Sequence, residues 1–289
     1  VLVYVVGHSG SVPGVTGTNV VVTESAFAGT IGGGAAEKEL VERALTHQAS
    51  AEIVRFRHTP GEGGTLCSGL QEFAVVRLTH DDIDDLQAIV ETLEDHRNGT
   101  LHLGPEGLHF DPGGVGDTVF ARDDESWSFI EPLGLLDTLT IIGGGHVSLA
   151  LSRVMATLPF RIVLLDNRPA LPTMEANSYA HVRLVVDYAG VADHVPSGDR
   201  SWVVIMTFGH THDREVLDRL LGRSYAYLGV LGSKAKIMTM FAEMKESGAS
   251  AEALGAVRAP VGLPIGSHTP EEIAVSIAGE IIAMRNGKA

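Results

Sequence analysis

Residues 139–148 combine a strand-like apolar run, three consecutive glycines and the start of a helix. Gly143 is placed to make a tight turn. Gly145 lets the backbone approach a pyrophosphate, whose charge the helix N-terminus stabilises. Asp166 ends the next apolar run, where an acidic side chain accepts a ribose 2′-hydroxyl, although Ser148 replaces the third glycine of this fingerprint. The pattern predicts a nucleotide or related phosphate ligand; the alternative is a scaffold whose site is vestigial.

A second phosphate-like pattern follows the last apolar run of the chain. Ser233 and Lys234 lie in a loop that enters a helix, and Lys236 stands in its first turn. Because the helix macrodipole opposes cations at this end, two lysines there suggest a compensating anion. Solvated lysines on a surface turn are the alternative.

Several histidines follow the same set of apolar runs. Loops at the carboxyl ends of parallel strands share one crevice, so five polar residues are expected to converge. They are His146, His210, His212, Asp166 and Lys234. The two loop histidines with Asp213 do not make a convincing metal site, because their spacing fits many geometries.

Cys67, the only cysteine, lies in a glycine-rich loop. Glycines on both sides leave the thiol little packing and offer N–H donors to a thiolate, which favours reactivity or soft-metal ligation over an inert role. An inert cysteine in a glycine loop remains the alternative.

Another glycine loop precedes a helix near the N-terminus. Gly32, Gly33 and Gly34 form a second candidate anion cradle, and Glu37 in the first turn suits the helix dipole without any ligand. A structural turn is the alternative.

Hydrophobic periodicity indicates the elements that position these residues. After residue 136, apolar runs alternate with helical stretches, which predicts βαβ units and a parallel sheet. Strand-like and helical segments mix in the first part, where residues 7–14 read as a loop. The predicted fold class is α/β. An N-terminal mixed α/β domain, residues 1–125, precedes a Rossmann-like doubly wound parallel-sheet domain, residues 126–289, with the linker near 111–134.

Composition excludes several classes of function. The 289 residues include 36 acidic and 21 basic side chains, a net charge of −15 that repels nucleic acid and anionic membranes. One cysteine cannot form an intrachain disulfide, and the apolar runs are too short to span a membrane. With no signal-peptide pattern in the residues shown, a cytoplasmic location is expected.

Taken together, these segments resemble the XdhC/CoxI proteins, accessory factors of xanthine dehydrogenase and related molybdenum hydroxylases. The order and spacing of the segments carry the resemblance more than any one of them. They are Gly10-Ser11-Val12-Pro13 with Gly17, Gly29-Thr30-Ile31-Gly32-Gly33-Gly34 with Glu37, Cys67 with Gly69, Gly143-Gly144-Gly145-His146-Val147 with Asp166 and Arg168-Pro169, Leu231-Gly232-Ser233-Lys234, and Pro264-Ile265-Gly266 with Thr269-Pro270-Glu271-Glu272.

The resemblance implies a cytoplasmic, dimeric chaperone with no required turnover of its own. Such a protein binds the molybdenum cofactor, as molybdopterin or its dinucleotide form, and protects it from oxidation. It lets a cysteine desulfurase install the terminal sulfido ligand and delivers the cofactor to a xanthine dehydrogenase-type hydroxylase. On this reading Cys67 holds the molybdenum, and residues 32–34 or 143–145 cradle the phosphate.

Two other functions stay open at this stage. An NAD(P)-dependent oxidoreductase would use residues 143–166, with Asp166 favouring NAD over NADP by repelling a 2′-phosphate. A ligand-free scaffold would dock a basic client face on its acidic surface.

Overall fold

The computed structural model describes residues 1–46, 49–58, 68–95, 97–114, 116–134 and 137–287. The chain divides into two compact units, Val1–Gly134 and Leu135–Ala289. The elements of the first unit, in chain order, are β1 (Leu2–Gly10), β2 (Asn19–Val22), β3 (Phe27–Gly29), α1 (Gly34–Thr46), β4 (Ala51–His58), β5 (Gly69–Val76), α2 (Ile83–Glu94), β6 (Gly99–Gly104), β7 (Gly107–Pro112), β8 (Val119–Arg122) and β9 (Trp127–Leu133).

Two antiparallel sheets make up the first unit, in the orders β3-β2-β1-β5-β4 and β7-β6-β9-β8. Side chains alternate along β1, so Leu2 and Tyr4 pack in one core with the second sheet while Val3 and Val5 pack in another with α1. Both faces of the first sheet are therefore buried, which explains the unbroken apolar run of β1.

Two expectations for this unit are corrected by the structure. Residues 7–14 are expected to form a loop, and residues 11–14 do. However, β1 continues to Gly10, because its pairing with β5 resumes after an irregularity between Val5 and Gly7. The segment 126–134 is expected in the second domain or its linker. It instead contains β9, which pairs with β6 and so belongs to the first unit, and the boundary falls after Gly134 rather than at residue 125.

The second unit is a doubly wound parallel sheet, as predicted. Its elements are β10 (Asp137–Ile142), α3 (His146–Met155), β11 (Phe160–Asp166), α4 (Pro172–Glu175), β12 (Val182–Val185), β13 (Gly198–Ile205), α5 (His210–Leu220), β14 (Tyr225–Val230), α6 (Lys234–Glu246), α7 (Ala251–Gly255) and α8 (Pro270–Arg285). The strand order is β12-β11-β10-β13-β14, and every pairing is parallel.

The order of the strands fixes where a ligand can enter. The chain winds outward from β10 through β11 to β12, and then crosses to β13 and β14 on the other side. A crevice opens at this switch point, beyond the carboxyl ends of β10 and β13. Residues of α3 and α8 pack in the core on one face of the sheet, and residues of α5 and α6 in the core on the other.

The last helix begins as its sequence predicts. Thr269 accepts a hydrogen bond from the Glu272 N–H, and the Glu272 carboxylate accepts one from the Thr269 N–H. Within the part of the chain that the structure describes, no helix is long and apolar enough to cross a membrane.

Candidate functional site

The turn between β10 and α3 is built around a glycine whose backbone conformation and surroundings would strain any other residue. Gly143 has φ = +110°, and a Cβ at this position would lie 2.3 Å from the Met206 carbonyl oxygen. Its N–H donates to the Leu165 carbonyl at 2.7 Å. The chain thus turns sharply between two strand ends, as the sequence predicts.

Asp166 lies beneath this turn and is fully buried. Its Oδ2 accepts from the Gly144 N–H at 2.6 Å and from Arg168 Nη2 at 2.7 Å. Its Oδ1 accepts from the N–H and the Nε of Arg168 at 2.9 and 2.8 Å. A carboxylate has about four acceptor sites, so all of them are used by protein donors. Asp166 orients the turn and has no lone pair left for a ribose hydroxyl.

The protonation of this pair follows from the same contacts. Burial alone would raise the pKa of Asp166, but the hydrogen bonds from Arg168 and Gly144 outweigh it and lower the pKa below its usual range. The same pairing raises the pKa of Arg168. Both groups are therefore charged at neutral pH.

A cleft of about 390 Å³ opens above the turn. It lies at the carboxyl ends of β10, β11 and β13, where the strand order predicts it. Its lining comprises Gly145, His146, Arg168, Leu171, Pro172, Thr173, Met206, Thr207 and Phe208. Two of these stand out: the side chain of Arg168 is 36% exposed, and Phe208 is 78% exposed with the guanidinium 5.8 Å from its ring centre.

The N-terminus of α3 contributes backbone to the cleft. Gly145 is the N-cap, no side chain caps the helix there, and a Cβ on Gly145 would meet no atom within 4 Å. The first turn of an uncapped helix presents N–H groups and a partial positive charge. This end of α3 therefore favours an anionic group in the cleft.

A second buried carboxylate lies close to the cleft. Asp213 Oδ1 accepts from the N–H and the hydroxyl of Thr207 at 2.8 and 2.6 Å, and its Oδ2 pairs with the Lys236 ammonium. The sequence predicts an anion beside Lys234 and Lys236. For Lys236, that anion is the carboxylate of Asp213. Ser233 caps α6 by accepting from the Lys236 N–H, and Lys234 is exposed with no partner among the described residues.

The structure brings only part of the predicted convergence together. His146 lines the cleft and Asp166 lies below it, whereas His210, His212 and Lys234 are not among the lining residues. His210 Nε2 is 3.7 Å from Glu243 Oε2, and His212 Nδ1 is 3.4 Å from Glu215 Oε2. Among the described residues, no group of three or more His, Cys, Asp or Glu side chains is placed to hold a metal ion.

The glycine loop of the first unit already holds a carboxylate of its own. Glu37 Oε2 accepts from the Thr30 hydroxyl at 2.7 Å and from the N–H groups of Ile31 and Gly33 at 2.9 and 3.2 Å. The Thr30 hydroxyl contributes most to lowering the pKa of Glu37, and the two N–H groups add to its effect. This cradle binds an anion, as the glycines suggest, but the anion is Glu37.

Three glycine segments of the first unit meet around this loop. A Cβ on Gly32 would lie 2.4 Å from the Gly14 nitrogen, and one on Gly10 would lie 2.7 Å from the Ser68 carbonyl. The Ser11 N–H also donates to that carbonyl, at 3.3 Å. Cys67 itself lies outside the described residues, but its neighbour Ser68 is anchored on the end of β1 at Gly10 and Ser11.

A pair of buried polar side chains supports the same region. His58 Nε2 lies 2.5 Å from Gln71 Oε1, and the Gln71 amide donates to the Gly14 carbonyl at 2.7 Å. Both side chains are buried. The end of β4 and the start of β5 are therefore tied to Gly14, which packs against Ile31 of the glycine loop. No pattern in the sequence points to Gln71.

The role of Arg168 is also not predicted by the sequence. Arg168 enters there only with Pro169, as part of a resemblance, and not as the partner of a bidentate pair with Asp166. The available signal is the spacing: an arginine two residues after an acid at a strand end can fold back onto it. Phe208 gives no signal beyond its position just after a strand.

Comparison with known proteins relates both units to one family. The family model described as the XdhC Rossmann domain matches residues 139–281, and the model described as the XdhC and CoxI family matches residues 1–57.

The relatives differ in how much of their length they share with this chain. The uncharacterized protein YqeB of Escherichia coli is 28% identical over 230 residues, which is 77% of this chain but only 38% of that protein. A Bacillus subtilis protein described as a probable subunit of xanthine dehydrogenase is 22% identical over 284 residues, 89% of this chain and 84% of that protein.

A solved structure shares the fold along the whole chain. The crystal structure of a Bacillus halodurans protein described as a xanthine dehydrogenase matches with a TM-score of 0.77 at 20% identity, covering 100% of this chain and 92% of that one. With family models matching both units and one fold spanning them, the chain belongs to the XdhC family.

Proposed function

We propose that this protein is a maturation factor for a xanthine dehydrogenase-type molybdenum hydroxylase, which binds the molybdenum cofactor and delivers it to that enzyme. The observation that carries the proposal is that models of the same family match both units. The Bacillus subtilis relative, most of whose length this chain covers, is described as a probable part of a xanthine dehydrogenase. The hydroxylase and a cysteine desulfurase are the proposed partners, and the protein acts as a homodimer in the cytoplasm.

In this proposal Cys67 binds molybdenum as a thiolate, a soft ligand suited to that metal. Support comes from its flanks. Ser68 and Gly69 are packed against the segment from Ser9 to Val12, and Gln71 ties the start of β5 to the Gly14 carbonyl. When the residues next to Cys67 are fixed in this way, less conformational entropy is lost on binding a ligand at the thiolate.

The contacts of Glu37 bear on whether the glycine loop of the first unit binds the cofactor phosphate. The N–H groups of Ile31 and Gly33 already bond its carboxylate, so this loop offers fewer donors to a cofactor phosphate than its glycines suggest. Glu37 instead stabilises the loop that packs on Pro13 and Gly14.

The oxidoreductase alternative receives no support from the geometry. Its preferred NAD form uses Asp166 to accept a ribose hydroxyl, and all four acceptor sites of that carboxylate are filled. We therefore retain the carrier as the proposed function.

The test is anaerobic incubation of the purified protein with molybdenum cofactor, followed by desalting and measurement of bound molybdenum and pterin. Binding of NAD and NADP is measured in parallel. Stoichiometric molybdenum and pterin are expected. Absence of both after desalting would rule out the carrier function.

Cys67→Ala sharpens this test. The variant should retain less than about a tenth of the molybdenum, while its thermal unfolding is unchanged, because the thiolate is a ligand and not a core side chain. Ser68→Ala is the matched control on the neighbouring exposed residue and should retain the wild-type amount. Equal molybdenum in the Cys67→Ala and wild-type proteins would contradict the ligand role.

A further inference from the structure

Helix α2 of the first unit carries apolar side chains on the face that it turns to solvent. Leu86 and Ile89 pack against a core of the unit. Ile83, Val90 and Leu93 lie outside that core and are 37, 52 and 44% exposed. Ile83 and Val90 are seven residues apart, which is about two helical turns, and Leu93 lies one turn after Val90. We call these three residues the outer stripe of α2.

Acidic side chains surround the outer stripe. Residues 81–95 contain seven Asp and Glu side chains and no Lys or Arg. Asp82, Asp85 and Asp95 have partners within the unit. The other four are exposed and form no ion pair or side-chain hydrogen bond within the described part of the chain; they are Asp81, Asp84, Glu91 and Glu94.

Two of these free carboxylates are placed against the helix dipole. Glu91 and Glu94 lie in the last turn of α2, where the dipole carries a partial negative charge, and no basic residue stands in that turn. The two side chains are three residues apart, so their like charges repel across one turn. Both effects destabilise the free helix, and a cation supplied from outside the chain would offset both.

We propose that the outer stripe docks a segment of a protein partner that carries lysine or arginine beside aliphatic side chains. The aliphatic side chains cover Val90 and Leu93, and the cations pair with Glu91 and Glu94. An acidic partner would be repelled here, and a metal ion would leave the apolar stripe exposed to water. The inference goes beyond the proposed cofactor delivery, because it uses neither Cys67 nor molybdenum.

The test is isothermal titration calorimetry of the full chain with a synthetic amphipathic helical peptide of leucine and lysine. One control peptide has glutamate in place of every lysine, and another has serine in place of every leucine. We expect the leucine–lysine peptide to bind at least about tenfold more tightly than either control, because it alone matches both the charge and the apolar stripe. Absence of binding, or equal affinity for the serine–lysine peptide, would overturn the proposal.

Charge-reversal variants assign the binding to α2. Glu91→Lys combined with Glu94→Lys should weaken binding of the leucine–lysine peptide about tenfold. Asp124→Lys combined with Glu125→Lys is the matched control, since it changes the net charge equally at exposed residues outside α2. The control should weaken binding by less than about twofold. Equal weakening in the two variants would show general attraction to an acidic protein and would contradict the assignment.

A second variant tests the apolar part of the docking face. Val90→Ser combined with Leu93→Ser should also weaken binding about tenfold, while circular dichroism remains unchanged, because both side chains are half exposed. If binding depends on the carboxylates but not on Val90 and Leu93, the face binds cations alone, and the proposed docking of a protein segment is wrong.

The melting temperature of the free protein separates a docking face from a merely solvated one. Glu94→Lys should raise it by about 2 °C, because the change complements the helix dipole and removes the repulsion from Glu91. The same variant should weaken peptide binding. A lower melting temperature would contradict the charge argument, and unchanged binding would contradict the docking role.

The two proposals fail separately. Loss of peptide binding leaves molybdenum retention untouched, because that function is assigned to Cys67. Loss of molybdenum retention leaves the calorimetric comparison untouched, since none of the peptides contains a metal or a pterin.

Discussion

Two glycine loops of this protein, each preceding a helix, differ in which carboxylate accepts hydrogen bonds from their N–H groups. In the first unit, Glu37 from the helix that follows bonds the N–H groups of its own loop. In the second unit, Asp166 lies at the end of the next strand and accepts a hydrogen bond from one N–H of the glycine loop, that of Gly144. Its charge is neutralised by Arg168. In the first loop, the Glu37 carboxylate therefore occupies the N–H donors. In the second, the N-terminus of α3 and the Arg168 guanidinium line a cleft. A glycine loop before a helix therefore indicates an anion, but not whether that anion is internal.

The two units differ in charge as well. The first contains 21 acidic and 7 basic residues, and the second contains 15 and 14. Nearly all of the net charge of −15 thus belongs to the first unit. An anionic ligand therefore meets much less electrostatic repulsion at the second unit than at the first.

The largest predicted effect is a difference in stability between alanine variants of two glycines in the second loop. Gly143→Ala should destabilise the fold by about 4 kcal/mol, because alanine meets both a positive φ and the Met206 carbonyl. Gly145→Ala, in the same loop with φ = −74° and open space, should cost less than about 1 kcal/mol. Urea unfolding monitored by circular dichroism measures both. Similar losses in the two variants would contradict the described turn.

The next largest effect concerns Asp166, whose carboxylate accepts a hydrogen bond from the second glycine loop. Asp166→Asn should destabilise the protein by about 3 kcal/mol at pH 7, because it leaves Arg168 without its buried counter-charge. The pKa of Asp166 is lowered in the folded state, so its contribution is fully present above the unfolded pKa of about 3.9 and is lost as pH falls through the folded pKa.

Urea unfolding at several pH values tests this linkage. The difference between wild type and Asp166→Asn should be constant near neutral pH and shrink below about pH 4. A difference that grows on acidification would show that the sign is wrong.

The smallest effect belongs to the first loop. Glu37→Gln should cost about 1 kcal/mol, because the amide oxygen still accepts hydrogen bonds but without charge. The pKa of Glu37 is also lowered, so the loss should fade as pH falls below about 4. Glu39→Gln, on the exposed side of the same helix, is the control and should be neutral in thermal unfolding. An unchanged melting temperature for Glu37→Gln at pH 7 would argue against the closed loop.

The sequence predicts the second unit far better than the first. Parallel strands are long apolar runs separated by helices, and the capping box at Thr269 marks a helix start directly. Antiparallel edges carry weaker signals: β3 and β8 are short and mostly exposed, and β9 lies in a segment that reads as a linker. These strands form because they pair with strands distant in the sequence, and the periodicity of a segment does not show such pairing.

Within the candidate site, the sequence predicts local motifs but not side-chain contacts. The tight turn at Gly143 and the proximity of Asp166 follow from a known spacing. That Arg168 saturates Asp166, and that Lys236 pairs with Asp213, depends on how side chains fold back in three dimensions. Cys67 stays a prediction, because it lies outside the described residues.

The most direct measurement of the central claim is transfer of cofactor to the client. The protein is loaded anaerobically with molybdenum cofactor, desalted, and mixed with cofactor-free xanthine dehydrogenase-type hydroxylase, whose activity is then followed. Loaded wild-type protein should activate the client well above an equal amount of free cofactor, while Cys67→Ala treated in the same way should not. Equal activation by free cofactor, by wild type and by Cys67→Ala would contradict a delivery function.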